Sequence, residues 1–112
     1  MTRAALDAIA AGDTRVNAFI WLDAEGALET AASLDAVPMA DRGKLHGVPL
    51  AHKDMYYQAG KLATCGSKIR RDFVPNVTAT ALQRLDAAGA IDMGTLHMAE
   101  FAQNPTGHNA HF

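Results

Sequence analysis

The chain has 112 residues with ten basic and twelve acidic side chains, a formal net charge of −2, and 49% hydrophobic residues, of which 23 are alanine and only seven are aromatic. That leaves few large apolar side chains for a core of this size, and the balanced charge argues against a nucleic-acid or membrane-surface binder. No apolar run reaches the ~18 residues of a membrane span, the N-terminus does not look like a signal peptide, and the single Cys65 excludes an internal disulfide and fits a reducing cytoplasm.

The first third is helical in pattern. Ala4 to Ala11 is alanine-rich, with Leu6 and Ile9 at helical spacing and Gly12-Asp13 as its stop. Val16 to Leu22 gathers Phe19, Ile20, Trp21 and Leu22 into an apolar knot between helices. Asp23 is placed to cap a second helix to about Asp35, with Leu28, Ala31, Ala32 and Leu34 on its apolar face. Pro38 and Asp41-Arg42-Gly43-Lys44 then make a surface connection.

The middle changes character. Gly47 to Asp54 holds a short apolar run, and Pro49 assigns it to an edge strand or to a strand's first residues. Tyr56 to Val74 reads as a long irregular excursion, the kind of loop that is usually functional or disordered. In the last third, Thr78 or Thr80 is placed to cap a helix (Thr80-Ala81-Leu82-Gln83 fits a capping box) whose inner face is Val77, Ala81, Leu85 and Ala88. Gly89 ends it. A strand is predicted at 90–94, then a helix at 96–102 with Met98 and Phe101 inward, then a turn-rich segment from Asn104 to Asn109.

Among candidate chemical groups, Lys53 stands out because it ends an apolar strand. A surface charge is one reading. The other is burial, which disfavours a lysine's charged form and leaves an amine able to take a proton. Adjacent Asp54 opposes this if it faces the same side. Ser33 and Ser67 are the only serines, Cys65 lacks an activating partner and reads as an inert thiol, and His108 and His111 read as surface histidines rather than metal ligands. His46, His52 and His97 are isolated, and the quartet Lys61, Lys68, Arg70 and Arg71 reads as a solvated face. No glycine spacing matches a phosphate loop, so no cofactor is expected. The residues alone leave the chemistry unassigned.

Three segments in order carry a resemblance. Leu45 to Asp54 resembles the "hGVPhxhKD" element (h, apolar) of the amidase signature family; Ala79 to Gly94 resembles its "ATvvxrLxxAGAxxxGk" element; and His97 to Ala102 with Thr106 to Asn109 resembles its "NMxEFA" segment. The resemblance spans roughly residues 16 to 112. It implies an α/β fold, the N-terminal part of a mixed sheet surrounded by helices that is incomplete in this chain, and residues 1–112 as the N-terminal portion of a single amidase domain truncated before a Gly/Ser-rich segment. It implies hydrolysis of carboxamide C–N bonds through a Ser–cis-Ser–Lys triad, with Lys53 as the lysine and both serines beyond Phe112. Neither Ser33 nor Ser67 inherits a role. The implied partner is a small-molecule amide substrate. Whether the complete enzyme acts alone, as a homo-oligomer or as an amidotransferase subunit stays open, as do a non-catalytic α/β interaction module and an α/β enzyme using Lys53 for a Schiff base or an anion.

Departures from the family pattern are Asp92, in a strand usually apolar there, and Thr95-Leu96-His97 in place of Lys-Thr-Asn. A carboxylate in a central strand is costly unless paired or protonated. The family's first helix is expected to be short or absent.

Overall fold

The computed structural model describes residues 1–112. Helix α1 spans Thr2–Val16, so Gly12-Asp13 is not its stop and the first helix is neither short nor absent. One glycine costs a helix only about 1 kcal/mol relative to alanine. The helix ends instead at Asn17, whose φ of 48° is left-handed, a conformation asparagine tolerates at helix ends. Asp13 continues the exit: its Oδ1 accepts the backbone N–H groups of Ala18 and Phe19 at 2.7 and 3.3 Å.

The predicted apolar knot is strand β1, Phe19–Leu22. A four-residue apolar run carries no periodicity of its own, and its pairing partner lies far along the chain. Asp23 caps α2, Ala24–Asp35, as expected, accepting the Gly26 N–H at 3.0 Å. Strand β2 is Pro49–Lys53, helix α3 is Thr80–Ala87, and strand β3 is Ile91–Leu96. The long excursion between β2 and α3 is irregular as predicted, apart from one 3-10 turn at Lys68–Arg70.

Two expectations for the last third fail locally. No side chain caps α3, which follows Ala79. Thr78 Oγ1 instead accepts the N–H of Ala59 at 3.0 Å, and Gln83 Nε2 donates to the Thr78 carbonyl at 3.2 Å. The inner face of α3 centres on Leu82, with Ala81 and Val77 exposed. The helix expected at 96–102 is absent, because β3 continues to Leu96 to pair with β1, and only a 3-10 turn, Glu100–Ala102, follows. Met98 is buried as predicted, but Phe101 is 42% exposed and takes φ 47°.

The sheet order is β1-β3-β2. Central β3 runs antiparallel to β1 and parallel to β2, so the two strands predicted from the sequence are neighbours. Ile91 and Met93 pack with Leu6 of α1 and Ala27 of α2. Paired residues share a face, so Pro49, opposite Ile91, places Ala51 and Lys53 on the α1/α2 side. Leu50, His52 and Asp54 alternate to the other face, where Leu50 and Asp92 share a cleft with Leu82 and Leu85 of α3.

The β2–β3 ladder has a bulge. Leu50 lies opposite Asp92, but His52 lies opposite Thr95, so β3 spends one extra residue there. Gly94 lies in this step at φ 138°, where a Cβ would sit 2.2 Å from the Trp21 carbonyl oxygen of β1, so glycine also allows β1 its close approach.

Only 19 of the 112 residues are buried, and the radius of gyration of 14.8 Å exceeds the roughly 13 Å of a compact chain of this length. The isolated chain is therefore expected to unfold broadly in a denaturant titration followed by circular dichroism, and to self-associate through its unpaired strand edges. A sharp, concentration-independent transition from a monomer would refute this.

Candidate functional site

In open α/β sheets, reactive groups collect beyond the carboxyl ends of the parallel strands. Here those ends are Lys53 of β2 and Leu96 of β3, opposite one another in register. Lys53 is half-buried rather than enclosed, and no hydrogen bond or ion pair engages its amine. Asp54 does not face the same side.

Asp54 is 1% exposed and organises the loop beside Lys53. Its carboxylate accepts the N–H of Thr64 at 3.1 Å, the Thr64 hydroxyl, and the N–H of Gly66 at 3.2 Å. Its backbone extends the ladder through Leu96 O at 3.2 Å and accepts from Cys65 N–H at 3.0 Å. The end of β2 is thereby fastened to both β3 and the excursion.

Cys65 sits inside this loop at φ 54°. Burial pushes its thiol up, against the opposing charge of Arg70, which suits the inert thiol read from the sequence. Ser67 is fully buried; its hydroxyl donates to Glu100 Oε1 at 2.6 Å and accepts the Ile69 N–H at 3.2 Å. The Ser67 hydroxyl bond and then His111, 3.3 Å from Glu100, hold the Glu100 carboxyl below its ordinary value. Asn109 Nδ2 donates to the carbonyls of Gly66 and Met98 at 2.7 and 2.8 Å. These contacts lock the segment after β3 onto the Asp54 loop. Ser33, exposed on α2, donates only to Glu29 O at 3.0 Å.

The costly carboxylate in β3 is paired. His52, 6% exposed, places Nε2 3.4 Å from Asp92 Oδ2. Its Nδ1 lies 3.3 Å from the Lys53 carbonyl oxygen, and Asp92 Oδ1 accepts the Gly94 N–H at 3.1 Å. Burial opposes the imidazolium, yet the Asp92 carboxylate outweighs it and His52 is raised above its ordinary value. Burial likewise opposes the Asp92 carboxylate, and His52 outweighs it, so Asp92 is lowered. The histidine's contribution to stability is thus lost as pH rises through its raised value, and the aspartate's as pH falls through its depressed one. The ion pair operates between the two.

The basic quartet is not one solvated face. Arg70 lies 3.9 Å from the Phe73 ring and donates to the Tyr57 hydroxyl at 2.8 Å and to Cys65 Sγ at 3.3 Å. Lys61 lies 3.6 Å from Asp23 Oδ2 and 4.9 Å from the Trp21 ring. No three His, Cys, Asp or Glu side chains converge as metal ligands, and no helix is long and apolar enough to cross a membrane. The His52–Asp92 pair escaped sequence reasoning about His52, although the unpaired cost assigned to Asp92 pointed toward a partner.

The amidase family model matches residues 1–112. A glutamyl-tRNA(Gln) amidotransferase subunit from Aromatoleum aromaticum is 44% identical over 96% of this chain, which spans 22% of that relative. The peptide amidase of Stenotrophomonas maltophilia superposes with a TM-score of 0.81 at 36% identity, over 91% of this chain and 22% of its own. Another amidase crystal structure gives 0.85 at 34% identity, over 98% and 25%. The chain thus spans under a quarter of the length of the curated relative it matches.

Proposed function

The chain belongs to the amidase family, and from that membership we propose that it is the N-terminal portion of a single amidase domain whose complete enzyme cleaves carboxamide C–N bonds. The observation that carries the reading is Lys53, at the carboxyl end of a parallel strand, within a segment that resembles the family's lysine element. In this reading Lys53 Nζ takes a proton from a bridging serine, which takes one from a nucleophilic serine as that oxygen attacks the amide carbonyl. The C–N bond then breaks, the amine departs carrying a proton, and water releases the acyl group from the serine. Both serines lie in a Gly/Ser-rich segment following Phe112. Ser67 is unsuited to either role, being buried with its hydroxyl committed to Glu100.

The substrate is a small-molecule amide, and the cytoplasmic location read from the lone thiol belongs to this proposal. The relative named as a glutamyl-tRNA(Gln) amidotransferase component supports a second reading, in which the complete chain passes the released nitrogen to an acceptor within an assembly of several different chains. Co-purification of the native complete protein, with assay for nitrogen transfer against release to water, separates the two.

The isolated chain is expected to be inactive toward simple aryl and aliphatic amides, because one triad position of three is present and no acyl-enzyme can form. The complete enzyme is expected to hydrolyse them. Hydrolysis by the isolated chain that Lys53→Ala abolishes would overturn the proposed division of the triad.

A further inference from the structure

The two polar groups that face the nitrogens of the His52 ring are both acceptors. The Lys53 carbonyl oxygen stands 3.3 Å from Nδ1 and Asp92 Oδ2 3.4 Å from Nε2, and the Gln58 amide oxygen is a further buried acceptor without a hydrogen-bond partner. A ring with acceptors at both nitrogens is satisfied only as the imidazolium, the one form in which both donate.

The pair also sits at a particular place in the sheet. It spans the step at which the β2–β3 register changes, from Leu50 opposite Asp92 to His52 opposite Thr95. Asp92 holds the other side of that step through the Gly94 N–H. A slip of one residue would move every β2 side chain to the opposite face, taking Lys53 with it. Buried ion pairs contribute little net stability, and fixing register is their best-attested use.

We propose that His52 and Asp92 form a positioning pair that holds β2 in register across the β3 bulge, and so sets the face and height at which Lys53 presents its amine. This rests on the reading of Lys53 as the proton acceptor. The pair touches no reacting atom and acts through the Lys53 backbone. The charged groups around it are few. Lys61 of the excursion acts on Asp92, Asp86 of α3 shares the cleft with Asp92 and Gln58, and Asp54 on the same face of β2 is engaged by Thr64 and Gly66. Helices α1 and α2 lie behind the opposite face.

The test uses the complete enzyme and a chromogenic aryl amide. His52→Leu is expected to lower kcat about 10²-fold, the cost of a misplaced catalytic group, with KM little changed. Adding Asp92→Leu should restore most of that loss, because an apolar pair can replace the ionic one. It should also remove the alkaline fall in kcat that His52 deprotonation imposes on the wild type. A His52→Leu enzyme with wild-type kcat and pH profile, or a double variant without recovery, would overturn the pair while leaving Lys53 untouched. An active Lys53→Ala enzyme would instead sink the reading beneath it. Should His52→Leu fail to fold, ¹⁵N titration of wild-type His52 decides: a midpoint above that of an ordinary histidine, lowered by Asp92→Asn, supports the pair, and a midpoint at or below the ordinary one refutes it.

Discussion

Lys53→Ala in the complete enzyme is expected to lower kcat by about 10³–10⁴-fold, the loss of a positioned general base together with the nucleophile it activates. KM should change far less, since the amine acts on the proton in flight and not on the bound amide. The alanine variant should fold, because Lys53 is half-buried and no side chain pairs with its amine. Its circular dichroism and melting midpoint are therefore the control. Turnover within tenfold of wild type would remove Lys53 from the chemistry. Lys53→Arg should fail almost as badly: guanidinium keeps the charge and most of the packing but does not give up its proton in the working range. Near-normal activity in the arginine variant would mean that positive charge alone is needed, and would favour an anion-binding role.

What the sequence makes legible here follows the range of the forces involved. Asp23 as a cap and the edge position of β2 are local, and both are found where they were predicted. The errors over strands are non-local. Residues 19–22 and 95–96 become strand because they pair across most of the chain's length, and no window around either segment contains that information. Gly12 shows the converse: a local breaker is overridden because the cost of one glycine is small and the exit is secured further on, by Asn17 and Asp13. For the candidate site, the position of Lys53 at a strand end was legible. The way its neighbours divide was not, because His52 and Asp54 take opposite duties on one face: the first ties β2 to β3, the second ties β2 to the excursion.

Asp54 is expected to be the most stability-critical polar residue near Lys53. Asp54→Ala in the complete enzyme should cost about 2–4 kcal/mol, because the Thr64 N–H and the Thr64 hydroxyl lose their acceptor inside the protein, each unpaired buried group costing about 1–3 kcal/mol. The Gly66 N–H keeps only Thr64 Oγ1, at 3.1 Å. The loop that carries these donors has little room to readjust. Gly66 is held at φ 66°, where a Cβ would meet Asn109 Nδ2 at 2.6 Å and the Met98 carbonyl oxygen at 2.8 Å, and Ala63 and Ser67 on either side are buried. Asp54→Asn should be nearly as damaging. The amide keeps one acceptor oxygen but turns an NH₂ donor toward a site built from donors, two backbone N–H groups and the Thr64 hydroxyl. The damage should also reach catalysis. The Asp54 backbone N–H bonds Leu96 at the end of the β2–β3 ladder, so releasing the loop frees the strand end that carries Lys53, and kcat should fall with stability. Denaturant titration of the complete enzyme gives the first quantity, and protease cleavage near residues 63–67 reports the second opening directly. An asparagine variant with wild-type stability and an uncut loop would show that the carboxylate is replaceable, and that the end of β2 is fixed by the ladder alone.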